Sequence, residues 1–307
     1  MIDILPCPGS RAGKPKRKQP QTKHGVLMKK NLSTIILIVV FIAGLGLMLY
    51  PTVSDLINKA HQSIAINSYE RSVKKLSKED FRKILSDARK YNKTVKSNEF
   101  PRDERDLEGN DEYHAAVNVS GNGMIGYLKI DSINVRMAIY HTTKESILQT
   151  GVGHVPTTSL PVGGEGTHAV LTGHRGLPSA RLFTDLDKVK KGDMFYIYIL
   201  DDILAYEVDQ IKTVVPTNTK YLQIVPGKDY VTLVTCTPYG VNSHRLLVRG
   251  HRVPYDKKVR EIKAETSDTP LLRTDQIAVL IGAPCFVLLF TVIMIVKKKK
   301  NKRREDS

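Results

Sequence analysis

Cysteine is scarce in this sequence, and its placement excludes a fold stabilised by disulfides. The 307 residues contain three cysteines. Cys7 lies in a basic N-terminal segment and Cys285 in an apolar segment near the C-terminus, so Cys236 is the single thiol of the region between them. No disulfide can form within that region. A lone cysteine is more often a small core residue than a nucleophile, so its neighbours must decide its role.

Charge is absent from two long stretches, residues 32–50 and residues 277–296. Each is long enough to cross about 30 Å of hydrocarbon as a helix, and a buried core helix rarely stays apolar on every face for so long. No small-residue cleavage site of the Ala-x-Ala kind follows the first stretch, which favours an uncleaved anchor over a signal peptide. The sequence therefore predicts two transmembrane helices.

The basic residues are concentrated in two tails, residues 1–31 and residues 297–307. The tails hold 15 Lys and Arg against three acidic residues and so carry +12 of the net charge of +16. Because Lys and Arg are retained on the cytoplasmic side, both tails are predicted to be cytoplasmic, with residues 51–276 outside the cell. The charge then indicates topology and attraction to anionic headgroups, and nucleic-acid binding has no other support. Met28, directly before Lys-Lys and the apolar run, is the suspected physiological start.

Residues 51–123 are predicted to hold two helices and a loop. Apolar residues share one face of the first helix: Leu56, Ala60 and Ile64. Ser77 to Asp80 resembles a capping box, and residues at helical spacing follow it. Residues 96–123 are rich in Asp, Glu, Asn and Gly with little periodicity, which indicates a loop.

Residues 124–256 are predicted to form a mainly β domain, followed by a linker over residues 257–276. Short β-rich runs separated by turn residues are typical of a closed or sandwiched β architecture. Asp201-Asp202 joins two of the runs in a hairpin, and residues 180–191 add a helical turn. The candidate strands are residues 124–130, 133–140, 168–174, 194–200, 203–215, 230–236 and 245–253.

Three residues in this domain could carry acyl-transfer chemistry: Cys236, His174 and Arg245. The chain from Cys236 to Arg245 is long enough to turn back beside itself, which would place both residues on adjacent strands facing one pocket. Acyl transfer needs a thiolate nucleophile, a proton donor for the departing amine and a donor to the oxyanion. Cys, His and Arg occur together in many domains, so the pattern alone leaves this as one hypothesis.

The neighbourhood of these residues resembles the class C, pilin-polymerising sortases. TLVTCTPYGVNSHRLLVRG is similar to the segment around their active-site cysteine, and LTGHRGLPSARLFTDLDKVKKGD is similar to their histidine segment. The resemblance extends over nearly all of residues 51–296, including the N-terminal helices and the C-terminal span. It implies a closed sortase-type β-barrel with N-terminal helices, flanked by two transmembrane helices, in the membrane of a Gram-positive cell.

The resemblance also implies a function and a role for each residue. Cys236 would cleave an LPxTG-like sorting signal and hold the product as a thioester, which a Lys of another pilin subunit would resolve into an isopeptide bond. His174 would exchange the proton, and Arg245 would position the substrate or the oxyanion. No metal or organic cofactor is implied, and no ligand cluster argues for calcium. The alternative is a sortase that attaches surface proteins to cell-wall peptidoglycan.

The expected lid motif of this class, Asp-Pro-aromatic, is missing before the barrel. Phe100 in the sequence EFPRD is the nearest candidate for a lid residue, against the simpler interpretation of a loop residue. Arg249 lies on the same strand face as Arg245 and is the rival for its role. The remaining nearby histidines are interpreted as supporting or surface residues: His154, His168 and His244.

Two more distant alternatives belong to other classes of protein. A cysteine L,D-transpeptidase would normally have His-Gly directly before its cysteine, whereas Val234-Thr235 precedes Cys236 here. In a membrane scaffold without enzymatic activity, Cys236 would be a core residue.

Overall fold

The computed structural model describes residues 23–95, 111–256 and 274–305. Within them the chain forms five α-helices and eight β-strands. The helices are α1 (Lys23–Val73), α2 (Lys78–Thr94), α3 (Asp111–Ala115), α4 (Glu145–Leu148) and α5 (Thr274–Glu305). The strands are β1 (Met124–Ile130), β2 (Val135–His141), β3 (Val152–His154), β4 (Thr167–Thr172), β5 (Met194–Ile199), β6 (Asp202–Val214), β7 (Asp229–Thr237) and β8 (His244–Val253). The chain divides into two compact units, residues 1–47 with 288–307 and residues 48–287.

Both stretches predicted to span a membrane lie in helices. Residues 32–50 lie within α1, which continues through Pro51 instead of ending there. Among the described helices, α1 is the one long and apolar enough to cross a membrane by length and composition. The described apolar part of α5, Ile281–Lys297, is shorter. In the first unit the rings of Phe41 and Phe290 stack with centroids 3.9 Å apart. A two-pass topology stays a prediction.

The eight strands close into a barrel in the order β1-β2-β3-β4-β7-β8-β6-β5. The β2–β3 and β4–β7 pairs are parallel, and the other pairs are antiparallel. Side chains alternate across each strand, so every second residue points into the barrel. The main hydrophobic core includes such residues from neighbouring strands: Leu128, Ile139, Leu171, Ile197, Leu233 and Val248. The closed β architecture predicted from the sequence is confirmed.

Most of the predicted strands are present, with three differences. The hairpin at Asp201 is confirmed, since Ile199 pairs with Asp202. The fourth strand ends at Thr172, so His174 lies in the loop after it and not on the strand. Strand β3 was not predicted, because three residues are too short to show a period. Residues 131–133 form a helical turn before β2, and the helical turn predicted within residues 180–191 is Leu186–Lys188.

The second half of α1 docks on the barrel through a face other than the one that carries Leu56, Ala60 and Ile64. Leu56 and Ile64 are 68% and 63% exposed, and Ala60 is also exposed. The buried side instead mixes apolar residues with polar ones: Asp55, Gln62, Ile66, Tyr69 and Val73. The polar members satisfy backbone groups of the barrel; Gln62 Oε1 accepts from the Ala138 amide at 2.7 Å, and the Tyr69 hydroxyl donates to the Ile125 carbonyl at 2.9 Å. A search for an apolar stripe misses a face of this kind.

The capping box predicted at the start of α2 is confirmed. The Ser77 hydroxyl accepts from the Asp80 amide at 3.1 Å, and the Asp80 carboxylate accepts from the Ser77 amide at 2.8 Å. Farther along the helix Ala88 is buried, and Asn92 forms two hydrogen bonds with the backbone of Leu160, at 2.7 and 3.1 Å. Helix α2 is therefore fixed to the barrel at both an apolar and a polar position.

Candidate active site

Cys236 and Arg245 lie directly opposite each other on strands β7 and β8. They are registered partners of the antiparallel ladder, near the end of β7 and the beginning of β8. Opposed residues of such a ladder point to the same face, with their Cβ atoms about 4.5–5.5 Å apart. Both side chains are half-buried. The prediction that the chain turns back to bring these two residues together is confirmed.

His174 lies in the loop after β4, which pairs with β7 on the side opposite to β8. The parallel β4–β7 ladder ends with Thr172 opposite Val234, and the Gly173 amide then donates to the Val234 carbonyl at 3.1 Å. Continued for two residues along each chain, this register would bring His174 beside Cys236, on the same outer face of the barrel. Two bonds that flank these positions support the placement: the Thr235 hydroxyl donates to the Gly173 carbonyl, and Arg175 Nη1 donates to the Thr237 hydroxyl. The register thus favours a row of His174, Cys236 and Arg245 across three adjacent chain segments.

The polar contacts of this row orient its side chains. His174 Nε2 lies 3.2 Å from each carboxylate oxygen of Glu145, at the start of α4. Arg245 Nη1 donates to the carbonyls of Asn242 and His244 at 3.2 and 3.1 Å. Glu145 was not predicted, and no pattern in the sequence could have indicated it, because it precedes His174 by 29 residues.

An apolar cluster lies next to Cys236 on the outer face of the barrel. It consists of four buried residues on β4, β6, β7 and β8: Val170, Val214, Val234 and Leu247. Val155, Tyr221 and Leu222 are partly buried and pack against these four from neighbouring loops. We call these seven residues the apolar cluster.

His168 fixes the loop that carries Tyr221 and Leu222. Its Nδ1 donates to the carbonyl of Gln223 at 2.9 Å, and its Nε2 accepts from the Thr232 hydroxyl at 2.7 Å. Burial lowers the pKa of His168 from 6.5 to about 4, so the ring is neutral. The supporting role predicted for His168 is consistent with these bonds, which hold the loop that packs against one side of the apolar cluster.

Arg249, the rival of Arg245, is engaged elsewhere. Its Nε and Nη2 donate to the two carboxylate oxygens of Asp209 at 3.0 and 2.9 Å, and its guanidinium lies over the ring of Tyr230 at 4.2 Å. It also lies four residues farther from the row along β8. These contacts favour Arg245 as the arginine beside Cys236.

The other residues singled out in the sequence lie away from this row or outside the described residues. His154 is fully buried; its Nε2 donates to the Ser159 carbonyl, its Nδ1 accepts from the Tyr113 hydroxyl, and burial lowers its pKa to about 3. His244 contacts the Ser243 hydroxyl. Phe100 lies outside the described residues. Among the residues that are described, no group of three or more His, Cys, Asp or Glu is placed to hold a metal ion.

Comparisons with known proteins point to one family. The sortase domain family model matches residues 128–253. The structure is similar to sortase C1 from Streptococcus agalactiae, with 48% identity and a TM-score of 0.59, covering 62% of this chain and 99% of that one. It is also similar to sortase C of Streptococcus pneumoniae, with 46% identity and a TM-score of 0.57, covering 62% and 97%.

A curated relative, sortase A of Bacillus anthracis, is 31% identical over 130 residues. That match covers 42% of this chain and 60% of the relative, so the chain spans less than two thirds of the relative's length.

Proposed function

We propose that this chain, which belongs to the sortase family of cysteine transpeptidases in its class C, joins pilin subunits through isopeptide bonds. The substrate would be a pilin with an LPxTG-like sorting signal, and the acceptor would be a Lys of another subunit. Membership of class C of the sortase family is incompatible with the two more distant hypotheses, a cysteine L,D-transpeptidase and a membrane scaffold without enzymatic activity. The single observation that supports the mechanism is the register that favours a row of His174, Cys236 and Arg245 beside the apolar cluster.

The first step forms an acyl-enzyme. The Cys236 thiolate attacks the Thr carbonyl of the sorting signal, and a C–S bond forms while the negative charge moves to the carbonyl oxygen. Arg245 donates hydrogen bonds to that oxyanion. The Thr–Gly bond then breaks, and His174 gives a proton to the departing Gly amine. The product is a thioester on Cys236.

The second step resolves the thioester. A Lys amine of the acceptor attacks the thioester carbonyl, and His174 takes the proton that the amine releases. The C–S bond breaks, an isopeptide bond forms, and the Cys236 thiolate is restored. The partly buried members of the apolar cluster, Val155, Tyr221 and Leu222, would contact the Leu and Pro of the sorting signal.

The proposal includes a two-pass membrane protein, with α1 and α5 crossing the membrane and the barrel outside a Gram-positive cell. It is supported by the length and hydropathy of α1, by the stacked rings of Phe41 and Phe290, and by the basic residues beyond both helices. The catalytic domain then faces its pilin substrates, while both termini are cytoplasmic.

The test uses the full chain in detergent, incubated with a pilin subunit that carries an LPxTG-like signal. We expect a ladder of covalent products that resists boiling in detergent. Cys236→Ala should abolish the ladder, and Cys285→Ala should leave it unchanged as the matched cysteine control.

Two outcomes would contradict parts of this proposal. A ladder that still forms with Cys236→Ala would show that Cys236 is not the nucleophile. The alternative function, attachment of surface proteins to peptidoglycan, would instead give an adduct with a wall-peptide amine and no ladder of pilins.

A further inference from the structure

The residue after His174 is bound to the residue after Cys236. Arg175 Nη1 donates to the Thr237 hydroxyl oxygen at 3.0 Å. Two residues earlier on each segment, the Thr235 hydroxyl donates to the Gly173 carbonyl at 2.7 Å. These two bonds lie on either side of the His174 and Cys236 positions. They continue the β4–β7 register past the point where backbone pairing ends.

The Arg175 guanidinium also binds an acidic residue, Asp187, in a helical turn that is anchored in the core. Arg175 Nη2 donates to the carboxylate of Asp187. Asp187 lies in the helical turn Leu186–Lys188, and Leu186 is fully buried in the core. The Arg175 side chain is only 8% exposed, so water competes little for these contacts. The guanidinium therefore connects a core-anchored turn to the segment that carries the nucleophile.

A second contact joins the same two segments. Gly176 has φ +80°, and a Cβ at this position would lie 2.9 Å from Cε2 of Tyr239. The ring of Tyr239, in the loop after Cys236, thus packs on the glycine backbone. A side chain at Gly176 would displace this ring. The segments after His174 and after Cys236 are consequently joined twice within three residues.

We infer that Arg175 is a positioning residue for the reaction, which holds His174 in register with Cys236 through Thr237 and Asp187. This inference deepens the proposed function and rests on its assignment of Cys236 and His174. The alternation of side chains explains why one residue can do this without touching substrate. His174 and Cys236 point to the outer face, whereas Arg175 and Thr237, their neighbours, meet on the other side.

The physical reason for an effect on chemistry is the sensitivity of acyl transfer to alignment. An error of about 1 Å in the placement of a catalytic group can lower the rate by about 100-fold. A thiol also reacts as its thiolate, which an adjacent imidazolium favours. Loss of the Arg175 contacts with Thr237 and Asp187 should therefore slow both peptide turnover and simple alkylation of Cys236. Stability need not fall in parallel, because the Asp187 side chain is 45% exposed, so water can solvate its carboxylate once Arg175 is replaced.

The test compares Arg175→Gln with Arg181→Gln in the full chain in detergent. Arg181 belongs to the same loop and is likewise paired with an acid, Asp185, at 2.8–3.2 Å, so it is the matched control. One readout is the pH profile of Cys236 alkylation by iodoacetamide, measured by mass mapping of the Cys236 peptide. The other is the split of kcat and KM for an LPxTG-type peptide with hydroxylamine as acceptor.

For Arg175→Gln we expect kcat to fall at least tenfold with KM changed less than about threefold. Alkylation at pH 7 should also slow, with its profile displaced to higher pH. Arg175→Lys should recover part of the loss, because one ammonium can keep one of the two partners. Thr237→Val should reproduce the defect, and the double variant should be no worse than Arg175→Gln alone.

The inference is overturned if Arg175→Gln and Arg181→Gln have equal effects, or if the Arg175 and Thr237 defects add. It is also overturned if alkylation of Arg175→Gln matches the wild type while its thermal stability falls, since that describes a purely structural residue. Failure of the pilin assignment would look different: alkylation would still distinguish the variants, but no pilin ladder would form with the wild-type chain.

Discussion

Acidification from pH 7 to pH 5 should strongly destabilise the barrel, because three histidines are buried as neutral rings. Burial lowers the pKa of His141 and His168 to about 4 and that of His154 to about 3. Each must bind a proton on unfolding at pH 5. Because the native pKa lies below the unfolded value, stability is complete above pH 6.5 and is lost as the pH falls towards 4.

The size of the effect follows from these values. A histidine with a pKa of about 6.5 unfolded and about 4 folded contributes about 2 kcal/mol less unfolding free energy at pH 5 than at pH 7. Three such residues give about 6 kcal/mol, which is comparable to the whole stability of many domains. Unperturbed carboxylates titrate mainly below this window. Asp229, whose pKa is raised by burial, acts in the opposite direction and reduces the total.

The measurement is urea unfolding of the full chain in detergent at pH 7, 6 and 5. The near-ultraviolet circular dichroism of its 13 tyrosines serves as the probe, since the sequence has no tryptophan. His168→Asn keeps a donor for the Gln223 carbonyl but cannot titrate. It should reduce the loss between pH 7 and pH 5 by about 2 kcal/mol. His244→Asn, at a partly exposed histidine, is the control and should leave the loss unchanged.

The reasoning is refuted if the wild-type chain is equally stable at both pH values. It is also refuted if His168→Asn and His244→Asn have the same pH dependence. In either case the buried histidines would not be neutral in the native state.

The remaining predictions concern the arginines and the topology. Arg245→Gln should lower kcat/KM by about 100-fold, as for loss of an oxyanion donor, whereas Arg249→Gln should mainly lower stability; equal kinetic losses would contradict the assignment. In a background in which Cys7, Cys236 and Cys285 are all replaced by Ala, on whole cells, a membrane-impermeant maleimide should label Ser307→Cys only after permeabilisation; labelling of intact cells would place this terminus outside.

The part of the site that the sequence predicted best is the part built from local chain reversal. Cys236 and Arg245 belong to consecutive strands, so a short connection is enough to make them neighbours. The placement of His174 rested on the resemblance of its segment to a known family. The strand that precedes it was predicted two residues too long, since the ladder of residue pairs with β7 ends at Thr172.

The contacts that could not be predicted all join distant parts of the chain. Arg175 and Thr237 are 62 residues apart, and Glu145 lies 29 residues before His174. Such pairs depend on strand order, and a parallel β4–β7 pair leaves no local mark in the sequence. The docking face of α1 could not be predicted for a related reason. Its buried side includes Asp55 and Gln62, and their contribution to docking can be recognised only when the backbone groups that they bind are known.

The same core that stabilises the barrel also protects the alignment of its catalytic row. Side chains alternate along β7, so a slip of one residue would turn Cys236 into the core and expose Thr235. Leu233 and Thr235 oppose such a slip, because the first is fully buried in the main core and the second is bonded to the Gly173 carbonyl. The six β4–β7 pairs and the eight β7–β8 pairs transmit this register to both neighbours of Cys236. Beyond the last backbone bond between these two segments, from the Gly173 amide to the Val234 carbonyl, the hydrogen bonds that join them come from side chains, and Arg175 lies at that position.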